Sequence, residues 1–167
     1  MKKTLLSFVF MFFFCVLVQA QPNGKVGLSG TIQGPQLGIS IPIWLAPNAV
    51  LAPGLDIRYA ETVGTDVSIG LAMRSYIKVE TLSPYWGVKL GSVFFNPSSE
   101  QNTDLKTRID LIGGLAFGAE YFISPHFSLG LEAQGNFTKS DENSLRFGNP
   151  GGLNFNTATM VMATVYF

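Results

Sequence analysis

The sequence predicts an all-β chain, an eight-stranded antiparallel up-and-down barrel. Three observations carry this. Apolar side chains recur with a period of two along the chain after residue 20. The connections alternate between tight turns and longer polar stretches. With 47% hydrophobic and only 13% charged residues, 167 residues are too apolar for an ordinary soluble surface.

The first twenty residues account for part of the apolar excess. Lys2 and Lys3 precede an apolar run from Leu5 to Val18, and Val18-Gln19-Ala20 places a small residue before a predicted cut ahead of Gln21. This is the pattern of a cleaved signal peptide over 1–20, leaving 21–167 as one barrel domain. The run is shorter than the roughly 20 residues that span a bilayer. Cys15, the only cysteine, leaves with the signal, so disulfides and thiolate metal sites are excluded from the mature chain.

The strands follow in order, predicted over 25–34, 36–46, 49–60, 66–79, 83–95, 106–123, 127–139 and 153–167. Leu37, Ile39, Ile41 and Ile43 alternate with Gly38, Ser40 and Pro42, and Val67, Ile69, Leu71 and Met73 with Ser68, Gly70, Ala72 and Arg74. Leu105, Ile109, Leu111, Leu115 and Phe117 oppose Lys106, Arg108, Asp110 and Glu120, while Phe127, Leu129 and Leu131 oppose Ser128, Glu132, Gln134 and Asn136. Helical spacing would mix these sets. Pro42 and Pro53 fall inside predicted strands, where each removes a ladder hydrogen bond, and are read as bulges near the tight rim or as misplaced boundaries. Short turns at Pro47-Asn48, 80–82 and 124–126 alternate with connections that include two long polar loops, 96–105 and 140–152.

Alternation alone does not say which face is inside. Gly27, Gly38, Gly54, Gly70, Gly87, Gly91, Gly114, Gly118 and Gly130 share the polar face, and few glycines lie on the apolar one. An eight-stranded barrel is just wide enough for its side chains, so the small-residue polar face points inward and the apolar face meets lipid. The strands also reach the ~9–11 residues needed to cross a bilayer. The barrel is therefore expected to be transmembrane. Its inward charges balance, Arg58, Arg74, Lys89 and Arg108 against Asp56, Asp110, Glu120 and Glu132, which predicts a paired interior network. Trp44, Tyr59, Tyr85, Trp86 and Phe95 lie near strand ends and are expected in aromatic girdles.

The chain ends Thr164-Val165-Tyr166-Phe167, with apolar residues at alternate positions back from a terminal Phe. This resembles the C-terminal signature that the assembly machinery of bacterial outer membranes reads, with Val165 and Phe167 as its expected contacts. Over its mature length the chain is similar to the small OmpA/OmpX-type outer-membrane barrels. Gly118-Ala119-Glu120-Tyr121-Phe122-Ile123-Ser124, followed by Phe127-Ser128-Leu129-Gly130, resembles the closing hairpin of the outer membrane protein β-barrel domain group. The resemblance implies a bacterial outer-membrane location, with outer-membrane lipid and the barrel assembly machinery as partners.

Eleven basic residues against eleven acidic ones argue against a nucleic-acid partner, which needs a basic footprint. His126-Phe127-Ser128 places a base and a hydroxyl two residues apart and resembles lipid A deacylase barrels, but Leu129 stands where their motif has Asn. His126 also belongs to the predicted periplasmic rim and Ser128 points inward, so no catalysis is expected. Asp141-Glu142 is read as solvated charge, and no metal or cofactor is expected. The function anticipated is a structural or surface-interaction role, with an extracellular ligand contacted by Asn102, Asn143, Arg146 and Phe147. The alternative is a narrow channel for ions or small solutes.

Overall fold

The structure, a computed structural model, describes residues 26–98, 106–144 and 146–167. The expected signal segment 1–20 and Asn102 lie outside the described residues. The strands are β1 (Gly27–Gln33), β2 (Gln36–Ser40), β3 (Ile43–Ala46), β4 (Ala49–Ala60), β5 (Gly64–Tyr76), β6 (Leu82–Pro97), β7 (Arg108–Ser124), β8 (Phe127–Lys139) and β9 (Leu153–Tyr166). They form one antiparallel sheet in the order β2-β1-β9-β8-β7-β6-β5-β4-β3, and β2 also pairs with β4, which closes it. Closure leaves no free sheet edge among the described residues.

Among the described residues nine strands make eight staves, because β2 and β3 are two halves of one. Ser40 stands opposite Gly54 and Ile43 opposite Leu51, a single register carried across the break. The break is the work of the two prolines. Ile41 N–H donates to the Pro53 carbonyl at 2.9 Å, and Gly27 N–H donates to the Pro42 carbonyl at 2.8 Å. Each proline keeps its acceptor in the ladder and lacks only the returning donor. The bulges expected at Pro42 and Pro53 are therefore absent. The register shifts lie elsewhere, between Trp44 and Ala46 and between Phe122 and Ser124, beside the turns at Pro47-Asn48 and Pro125-His126. β5 also stops at Tyr76 rather than at 79, because Ser83 closes the following turn, accepting from Glu80 N–H at 2.9 Å and donating to Glu80 O at 2.8 Å.

The barrel has the polarity inside and the apolar surface outside. Leu37, Ile69, Leu90, Leu111, Phe117 and Leu131 are exposed on the outer face, whereas Asp66, Arg74, Asp110, Glu120 and Glu132 are buried. The glycines show why the faces cannot be exchanged. A Cβ added at Gly38, Gly87, Gly91, Gly114, Gly118 or Gly130 would come within 3.0 Å of another atom, while one at the outward Gly30 would meet nothing within 4 Å. Inside there is no room for a side chain at those positions; outside there is.

Candidate functional site: the barrel interior and its loop-side mouth

The interior is built in tiers along the barrel axis, each from alternate residues of several strands. Nearest the rim that carries the termini lies Glu120 of β7, with no solvent exposure. It accepts hydrogen bonds from Tyr76 of β5, from Ser128 of β8 and, at 2.8 Å, from the hydroxyl of Tyr166 of β9. Three hydroxyl donors satisfy a carboxylate that meets no cation within ion-pair distance among the described residues. Around it the Trp44 ring stacks on Tyr76 at 4.9 Å, and Tyr76 packs against Tyr85 at 5.2 Å. This half of the bore is filled.

The next tier centres on Glu132 of β8. Tyr85 O–H donates to one carboxylate oxygen at 2.8 Å and Gln134 Nε2 to the other at 2.7 Å. Arg74 Nε lies 3.5 Å from Glu132, with its guanidinium over the Tyr85 ring at 5.2 Å. Gly118 makes this possible. A Cβ there would stand 2.6 Å from the Tyr85 ring, so any larger residue would displace the hydroxyl from Glu132. Asn136 Nδ2 continues the chain, donating to Gln134 Oε1 at 3.3 Å.

Above these tiers the bore opens into a cavity of about 160 Å³, lined among others by Asp56, Arg74, Lys89, Glu132, Asn136, Arg146 and Phe147. The mouth above is held by two carboxylates. Asp66 pairs with Arg58 at 2.5 Å and with Arg146 at 2.9 Å. Asp110 accepts Asp141 N–H at 2.8 Å and Ser144 O–H at 3.2 Å. Both contacts tie the β8–β9 connection onto the barrel. At its base Asp141 accepts the Asn143 N–H at 2.8 Å, which holds its carboxyl below the usual carboxylate range. Burial lowers the Arg146 pKa, against the opposing pull of Asp66.

The eight charges expected to form one network are thus divided. Only Arg74 and Glu132 pair with each other. Arg58 pairs with Asp66, which is not among the eight charges expected inside although it shares the inward parity of Ser68, Gly70 and Arg74. Asp110 is taken by the loop, and Arg108 lies over Phe95 at 6.0 Å. Asp56 and Lys89 face the cavity. Of the expected loop contacts Asn143 is exposed, but Arg146 and Phe147 turn inward, because Asp66 offers a buried carboxylate that an outward arginine would leave half-neutralised. Of the girdle candidates Tyr59 and Trp86 are exposed, whereas Tyr85 is buried and Trp44 and Phe95 pack inside. Parity decides the face, and Tyr85 shares that of Gly87 and Lys89. The His126 ring bonds the Tyr166 carbonyl at 3.2 Å while Ser128 donates to Glu120, so the two are not joined. Val165 and Phe167 are exposed at the terminal rim.

No protein-family model matches the chain, and no curated protein sequence matches it. Solved structures do. The N-terminal β-barrel domain of OprF from Pseudomonas aeruginosa superposes with a TM-score of 0.60 at 14% identity, covering 89% of this chain and 100% of that one. The fold is that of outer-membrane β-barrels. Neisserial surface protein A, NspA, superposes with a TM-score of 0.55 at 13% identity, covering 86% of this chain and 94% of that one. Such a barrel at such low identity is preserved by its parity pattern and closure, which constrain face and spacing more than residue identity.

Proposed function

We propose that the protein is an integral barrel of a bacterial outer membrane, without catalytic activity, that serves as a structural and surface-contact protein through its loop-side end. The observation that carries the contact role is the tethering of the β8–β9 connection. Asp66 and Asp110 pin it to the barrel, so Glu142, Asn143 and residues 148–150 form a preorganised outer surface with little ordering cost on binding. The outward apolar belt supports the lipid environment. Val165 and Phe167, exposed side by side in parity at the terminal rim, suit recognition by the assembly machinery.

A channel is the second reading, favoured by the cavity that reaches down to Arg74 and Glu132. Conduction would require the tiers of Glu132 and Glu120, with Tyr76, Tyr85 and Tyr166, to open a path. Planar-bilayer recording of the refolded protein separates the readings. A silent, folded, heat-modifiable barrel is expected; single-channel steps altered by Arg74→Gln, Lys89→Gln or Glu132→Gln would replace the contact reading with the channel.

A further inference from the structure

We propose that the cavity beneath the mouth is a binding site for a small zwitterion, a molecule the size of a free amino acid carrying one carboxylate and one ammonium group. The inference rests on the fold alone and not on the surface-contact reading.

The volume of about 160 Å³ is close to that of an engineered apolar cavity that takes one benzene ring, but here charged and amide side chains share the wall with apolar ones. Lys89 of β6 brings three N–H donors to the cavity and makes no hydrogen bond or ion pair with any described residue, although it lies in the field of Glu132 and Asp56. Asp56 of β4 receives a single long hydrogen bond, from Thr31 at 3.4 Å. Gly38 leaves its carboxylate free to stand where it does, since a Cβ there would lie 1.8 Å from Oδ1. Asn136 is 5% exposed, and its Oδ1 has no partner.

A half-buried ammonium, a nearly unbonded carboxylate and an orphaned amide oxygen around one space ask for an occupant with both donors and acceptors. Charge narrows the class. A simple anion drawn to Lys89 would also meet Asp56 and Glu132, and a simple cation drawn to Asp56 would meet Lys89 and Arg74. A zwitterion sets its carboxylate toward Lys89 and its ammonium toward Asp56 and Asn136 Oδ1, leaving the local charge balance unchanged.

The test is amide-resolved NMR titration of the refolded full barrel in detergent micelles with glycine, serine and glutamine, against glycolate and ethanolamine as single-charge controls. Saturable shifts at Asp56, Lys89 and Asn136 are expected with at least one amino acid and neither control. Lys89→Met and Asp56→Asn should each weaken binding by about tenfold or more, with the amides around Glu120 unmoved. No saturable shift with any amino acid, equal binding of glycolate or ethanolamine, or undiminished binding in both variants would overturn the proposal. Should a variant fail to fold, the probe comparison on the unaltered protein decides.

Discussion

Glu120 holds three strands together through one side chain, since its donors come from β5, β8 and β9. Hydrogen bonds to a charged group contribute about 1.5–3 kcal/mol each, so Glu120→Gln should destabilise the barrel by about 2–4 kcal/mol and Tyr76→Phe by about 1.5–3 kcal/mol in urea unfolding from vesicles. A Glu120→Gln change within about 0.5 kcal/mol of the unaltered protein would show that the charge does not matter there. Asp141 offers a pH-dependent case. Its depressed pKa means that the loop contact is present above the unfolded value of 3.8 and is lost as pH falls through the lower folded value, so the Asn143 amide resonance should titrate with a midpoint below 3.8. At this scale the sequence was only partly legible. Parity placed Glu120 and Glu132 inside, but partner choice depends on stagger between strands: Tyr166 reaches Glu120 over 46 positions of chain, a distance no local pattern encodes.

Among the elements, β8 and its neighbours place Glu132, Gln134 and Asn136 on one inward line. That line depends on Gly118 across the β7–β8 pair, and Gly118→Ala should cost about 1–3 kcal/mol through overpacking and red-shift or broaden the Tyr85 ring signals. Pro53→Ala makes a different point. It restores a donor toward Ile41 while raising the entropy of the unfolded chain, two effects of about 0.5–1.5 and 0.4–1 kcal/mol that offset each other. Stability should therefore change little, while the new amide at position 53 should exchange slowly with solvent; fast exchange would mean that the stave is open at this point. Strand existence was legible because period-two alternation is a local property. The division of one stave into β2 and β3 was not, because it arises from two prolines on neighbouring strands facing the same stretch of ladder.

For the molecule as a whole, the inverted distribution of polarity makes depth in the bilayer the variable that governs tolerance. Leu90, at the middle of β6 and 70% exposed, should accept Arg only at a cost of about 2–4 kcal/mol in vesicles, whereas Leu82→Arg at the end of the same strand should cost about 0–1 kcal/mol. Equal effects at the two positions, or none in either, would mean that this face does not meet lipid. Closure, strand number and the inward face were all readable from the amino acids, since glycine crowding and charge scarcity act on every strand at once. The uneven filling of the bore was not readable, for it depends on which rings meet near the terminal rim. That unevenness gives the molecule the form of a cup: a floor of tyrosines and a carboxylate, and a bowl that opens at the other end. A cup whose floor stays closed exchanges its contents with one compartment only. Should planar-bilayer recording find the barrel silent, whatever enters or leaves the bowl would do so without joining the two sides of the membrane, and any number of copies could sit in it without making it leak.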